Sequence, residues 1–123
     1  MQSLVLYIGR ILFGGYFIVA GFNHFVKLQS MAGYAQAKGV PASKAAVGFT
    51  GLLLIVGGVS TLLNIYPVIG LGALFVFLIP TTILMHAFWK IEDPMAKMGE
   101  QVNFMKNLAL LGGTLILFSN VLS

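Results

Sequence analysis

Residues 68–88 read VIGLGALFVFLIPTTILMHAF, about twenty residues with no acidic side chain, lysine or arginine among them. A helix of that length covers a hydrocarbon core of roughly 30 Å, so the run reads as a membrane span. Three further stretches of similar length and character occupy residues 4–25, 45–63 and 104–122. In lipid every backbone N–H and C=O must be satisfied within the chain, so all four are expected to be helices. The expected fold is all-α, an antiparallel bundle of four transmembrane helices forming one domain over residues 1–123. No basic region precedes Leu4 and no small-residue cleavage pattern follows, so the first stretch reads as a span and not as a secretory leader.

Composition points the same way. Hydrophobic residues make up 59% of the chain and charged residues 8%, where a soluble domain carries roughly 25% charged residues. A soluble chain of 123 residues needs far more polar surface than this. The net charge of +4 comes from seven basic and three acidic residues. The lysines do not form a basic face but lie in or beside two short loops, which excludes nucleic acid as a partner. The absence of cysteine removes disulfide exchange, iron–sulfur clusters and thiolate metal sites. It also removes the quinone-linked disulfide oxidoreductases, small helical membrane proteins that depend on cysteine pairs.

The connections are unequal. Asn64-Ile-Tyr-Pro67 reads as a tight turn joining the second and third spans in a hairpin. The loop over 26–44 carries Lys27, Lys38 and Lys44, and within it 31–38 suits a short interfacial helix broken by Gly39-Val-Pro41. The loop over 90–102 holds Lys90, Glu92, Asp93, Lys97 and Glu100, with Lys106 just inside the fourth span. All these lysines fall on one side of the bundle. The positive-inside rule places that side in the cytoplasm and both termini outside, with Arg10 alone on the opposite side. Gly14, Gly15, Gly21, Gly51, Gly57, Gly58, Gly112 and Gly113 let helices approach closely, and Pro80 should kink the third span.

Ionisable residues inside a membrane are costly and mark candidate sites. Arg10, Gly14, Phe17, Gly21 and His24 recur at the spacing of a single helical face. Thr82, His86 and Trp89 share a face of the third span if the helix continues through them. Asn103, Asn107, Leu110 and Thr114 do so on the fourth. His24, His86, Trp89, Asn103 and Asn107 thus fall at similar depth near the cytoplasmic boundary. They suit either a polar pocket for the head group of a lipid-soluble ligand such as a quinone, or helix cross-links and an interfacial anchor. Two histidines do not make a metal site, and none is expected. Arg10 lies roughly 9 Å into its helix counted from Leu4. With Glu92, Asp93 and Glu100 all assigned to the cytoplasmic loop, its expected partners are carbonyls, hydroxyls such as Thr61 or Thr114, water, an exogenous anion, or the outer interface reached by snorkelling.

These residues resemble the DoxX family of small bacterial membrane proteins. The likeness rests on Gly9-Arg-Ile-Leu-Phe-Gly14, Ala20-Gly21 with Lys27, Gly39-Val-Pro41, Gly51, Gly57-Gly58, His86-Ala-Phe-Trp89 and Asn103-Phe-Met-Lys-Asn-Leu-Ala-Leu-Leu-Gly-Gly113. The resemblance implies a four-helix membrane fold in the bacterial cytoplasmic (inner) membrane and, for some relatives, association with redox systems. It carries Arg10, His86, Trp89, Asn103 and Asn107 as candidate site residues. One departure stands out: the family often has an acidic residue early in the second span, and none occurs between positions 45 and 63 here.

The function expected is that of a membrane subunit binding a quinone or similar lipid-soluble ligand and serving a partner oxidoreductase. The ligand-binding residues expected are Arg10, His24, His86, Trp89, Asn103 and Asn107. The chain has no flavin or nicotinamide fingerprint, so no intrinsic cofactor is expected beyond a bound quinone, and electrons would come from the partner or the ligand. Membrane lipid and a second copy of the chain complete the expected partners. The alternative is a non-enzymatic scaffold or assembly factor whose glycine-rich faces pack against another membrane protein. A transporter fits poorly, because four helices leave little room for alternating access.

Overall fold

The computed structural model describes residues 1–122. Five α-helices follow in order: α1 Gln2–Val26, α2 Leu28–Ala37, α3 Ser43–Leu63, α4 Pro67–Met85 and α5 Pro94–Leu122, with a 3-10 turn at Phe88–Lys90 before α5. Among the described residues there are no strands, and four helices (α1, α3, α4 with its 3-10 turn, and α5) are long and apolar enough to cross a membrane. The protein is therefore an all-α, multi-pass membrane protein. The expected interfacial helix is present as α2, three residues ahead of its anticipated start.

Helix α1 packs on α3 without side chains between the two backbones. A Cβ placed on Gly58 would lie 2.7 Å from the Gly14 carbonyl oxygen, and one on Gly21 2.8 Å from that of Gly51. This is how membrane helices gain contact where burial from water supplies no force. Phe17, buried beside the crossing, joins Leu54, Leu71, Leu74 and Leu78 in the core shared by α1, α3 and α4. Leu110, Leu117 and Phe118 of α5 pack against that core. Gly14, Phe17 and Gly21 are buried, as their spacing requires.

The turns have local causes. After α2, Gly39 adopts φ +88°, where a Cβ is penalised, and the Val40 and Gly39 N–H groups return to the carbonyls of Ala35 and Gln36. Between α3 and α4, Asn64 and Tyr66 both take left-handed backbone conformations, and Pro67 opens α4 with its φ already set. The buried Ser60 hydroxyl donates to the Ile65 carbonyl at 2.6 Å and so ties the turn to α3.

Two expectations fail at one place. The third span does not remain helical through residue 88: α4 ends at Met85, and His86 leaves the helix with φ −118° and ψ 39°. Thr82, His86 and Trp89 therefore share no helical face. The loop over 90–102 is likewise mostly helix, because α5 begins at Pro94. Asp93 explains that start. Its side chain accepts the Ala96 N–H at 3.0 Å, and the proline after it needs no N–H partner in the first turn. The 29 residues of α5 rise about 43 Å, longer than a hydrocarbon core, so its first turns extend past the apolar stretch.

Candidate functional site

Glu100, assigned from sequence to a solvated loop, lies in the second turn of α5 and is 8% exposed. Its Oε2 accepts hydrogen bonds from the Tyr34 hydroxyl at 2.8 Å and the Lys38 ammonium at 3.2 Å. Its Oε1 accepts one from Asn103 Nδ2 at 3.1 Å, and His86 Nδ1 stands 3.5 Å away. One carboxylate thus fastens α2, α5 and the segment after α4. Charge-assisted bonds of this kind are among the stronger hydrogen bonds, and several converging on one group justify its burial.

Tyr34 lies outside the spans, and the residue is 46% exposed. Burial of its hydroxyl, then the hydrogen bond to Glu100 and that carboxylate's charge, push its pKa up to about 12. It therefore holds its proton and remains a donor to Glu100 across the physiological range.

Beside this network is an open-sided cavity of about 640 Å³, bordered by the end of α1, by α2, by the first turns of α3 and by the last turns of α4. Its wall is mainly apolar, and His24, Tyr34, Thr50 and His86 supply polar atoms. His24 Nδ1 hydrogen-bonds the Ala20 carbonyl at 2.8 Å, and its ring meets Phe77 edge-on at 5.9 Å. His86 is the turn point: because α4 ends before it, its ring lines the cavity while Nδ1 faces Glu100. Pro80 and Leu84 of α4, both exposed, form part of the rim.

The expected site residues separate. His24 and His86 line the cavity together, and Asn103 joins His86 at Glu100. Trp89 does not line the cavity. It is half exposed in an edge-to-face cluster with Phe88 and Phe104, as suits an interfacial anchor. Asn107 is buried on the same α5 face as Thr114 but away from the cavity lining. Arg10 stands fourteen residues before His24 on one helix, about 21 Å distant. The hydroxyls of Thr61 and Thr114 bond their own helices at the Gly57 and Leu110 carbonyls. Among the described residues, Arg10 forms no hydrogen bond or ion pair.

Glu100, Tyr34, Lys38 and Thr50 were missed as site residues. Two signals were available for Glu100. Asp93-Pro94 is a helix-start pair, and Glu100 continues the Asn103, Asn107, Thr114 face by one turn. The partners on α2 have no such signal, since Tyr34 and Lys38 lie 66 and 62 residues away.

The DoxX family model matches residues 5–87 of the 123. The match takes in α1 to α4 and His86, and the Asn103–Gly113 stretch that also suggested the likeness lies beyond it. No curated protein and no solved structure matches the chain. A match over about two-thirds of the length, on a chain with four membrane-spanning helices, is decisive: the protein belongs to the DoxX family.

Proposed function

We propose that the cavity holds the head group of a quinone or similar lipid-soluble ligand and that the chain serves a partner oxidoreductase as its membrane subunit. The observation that carries this reading is the cavity itself. Its volume of about 640 Å³ lies within the 300–1,000 Å³ common for small-molecule sites. An apolar wall that carries two imidazoles suits a ring with polar substituents. The exposed Pro80 and Leu84 on a spanning helix give the ligand a route from the lipid side. Electrons would come from the partner or from the ligand itself, because the chain contains no flavin or nicotinamide fingerprint.

Gentle solubilisation, organic extraction and mass spectrometry test the proposal. A quinone should accompany the wild-type protein at a substantial fraction of one per chain. His86→Ala should lower that occupancy several-fold while leaving the fold intact, since an interhelical polar contact in a membrane averages only about 0.6 kcal/mol. Occupancy unchanged in the variant, or no quinone at all, would defeat the proposal and favour the scaffold. The scaffold reading has its own support: nothing lies within 4 Å of a Cβ added at Gly9, Gly15, Gly72 or Gly112, so these small residues serve no crossing within the chain.

We further infer that the end carrying Glu100 faces the cytoplasm of a bacterial inner membrane. Lys27, Lys38, Lys44, Lys90 and Lys97 gather at that end, and Arg10 is the lone lysine or arginine toward the other. A reporter fused after Ser123 should then be active only in the periplasm. Activity of a cytoplasm-only reporter at that position would reverse the orientation.

A further inference from the structure

The protons of most of the cavity's polar side chains are already committed to the protein. His24 Nδ1 pairs with a carbonyl oxygen, which only accepts. The proton is therefore on Nδ1, and Nε2 of the neutral ring keeps its lone pair. The Thr50 hydroxyl donates to the Ala46 carbonyl at 2.8 Å and leans toward that of Val47 at 3.1 Å. The Tyr34 hydroxyl donates to Glu100. What these two oxygens retain is accepting capacity.

His86 follows the same logic by electrostatics. Its Nδ1 is a buried side-chain atom with no hydrogen-bond partner, 3.5 Å from Glu100 Oε1. A lone pair aimed at a carboxylate oxygen is repelled and an N–H is attracted, so the neutral ring carries its proton on Nδ1. Its Nε2 is then a second acceptor. Pro80 in the wall has no N–H to offer. Among the lining hydroxyls only those of Ser30, on the exposed rim, and Thr81 have no such commitment.

We propose that this cavity selects a ligand that donates hydrogen bonds, so that among quinone-type molecules it takes the hydroxyl-bearing hydroquinone in preference to the quinone. The proposal rests on the reading of the cavity as a ligand site and adds which form of the ligand it accepts. A hydroquinone presents two O–H donors on opposite sides of one ring, and the site offers two imidazole acceptors from α1 and from the end of α4. A quinone presents carbonyl oxygens, which set lone pair against lone pair and leave the Nε2 atoms unpaired once water is displaced.

The test uses the detergent-solubilised full chain under anaerobic conditions at about pH 8, where imidazoles of ordinary pKa, about 6.5, are neutral. This matters because charged groups surround His86: Glu100 and Lys106 from α5 and Lys38 from α2, with His24 in the same cavity lining. Three probes are titrated: a decyl-substituted benzohydroquinone, the matching benzoquinone, and the dimethyl ether of the hydroquinone. Binding is read as displacement of the thermal unfolding midpoint with ligand concentration. The hydroquinone should bind roughly tenfold or more tightly than either of the others. His24→Phe keeps a ring against Phe77 but removes one acceptor, so it should bring the hydroquinone toward the affinity of the ether and leave the ether unchanged. Equal affinity for all three probes, or tighter binding of the quinone, would overturn the donor selectivity while leaving the ligand site standing. Binding of none of them would overturn both. The wild-type series decides the matter even if the variant does not fold.

Discussion

Gly58→Ala should leave little folded protein, one of the large effects expected of a single methyl group in this chain. The added carbon would sit 2.7 Å from the Gly14 carbonyl oxygen, 2.7 Å from Ile18 Cγ1 and 2.9 Å from the Ile18 backbone nitrogen. Two of those three atoms are backbone in the facing helix and cannot turn aside as a side chain can. Relief requires α1 and α3 to separate, which loosens the whole crossing along with the Gly21–Gly51 contact one turn or more away. Overpacking typically costs about 1–3 kcal/mol, and a backbone-to-backbone clash belongs at the upper end. Gly15→Ala is the control on the same pair of elements: nothing lies within 4 Å of its new carbon, so it should be neutral or slightly stabilising through helix propensity. The midpoint of thermal unfolding in detergent separates the two. Similar midpoints for both variants would mean that α1 and α3 do not meet through these glycines. Gly14→Ala combined with Gly58→Ala should cost less than the two single changes summed, because the first methyl already forces the helices apart.

Glu100→Ala comes second. It strips Tyr34, Lys38, Asn103 and His86 of one shared partner and leaves a part-buried ammonium, its side chain 23% exposed, without a counter-charge. Breaking a buried ion pair from one side costs about 3–5 kcal/mol, and the partial exposure of Lys38 reduces the expectation to about 2–3 kcal/mol. Lys38→Ala should cost less, because the carboxylate then keeps Tyr34 and Asn103. Glu100→Gln keeps the shape and one acceptor oxygen and should fall between them. The same unfolding midpoints measure all three. Proteolysis between α2 and α3 gives a local readout, since α2 loses its tie to α5 and should be cut faster. Equal midpoints for Glu100→Ala and wild type would reduce the cluster to a solvated surface arrangement.

Much of this architecture was legible before any coordinates. Lipid imposes one requirement on the backbone, so four apolar runs translate directly into four spans, and Gly14, Phe17 and Gly21 face inward as their spacing demands. The site was legible only in part, and the reason is hydropathy. Apolar character persists from Met85 through His86, Ala87, Phe88 and Trp89, so nothing marks the point where α4 stops. Charge misled in the opposite direction: Glu100, grouped with Glu92 and Asp93, reads as solvated loop, and only its partners on α2 make it a buried residue. His24 and His86 were found because an imidazole in an apolar run is conspicuous. Thr50 and Tyr34 were not, because hydroxyls at such positions are ordinary. The second span lacks the acidic residue common in this family, and the carboxylate beside the cavity comes from α5 instead.

The bond between Tyr34 and Glu100 joins points 66 residues apart. Ribosomes extend chains at roughly 5–20 residues per second, so Tyr34 is made roughly 3–13 s before its carboxylate exists. Through that interval α2 is held by apolar packing, with Ala32 and Ala35 against Val47 of α3 and Leu28 and Met31 beside them. The cavity's walls, from His24 to His86, are all synthesised before the residue that fastens them. The pocket is thus walled by α1 to α4 before α5 exists, and what α5 adds is the Glu100 tie that holds α2 in place over it.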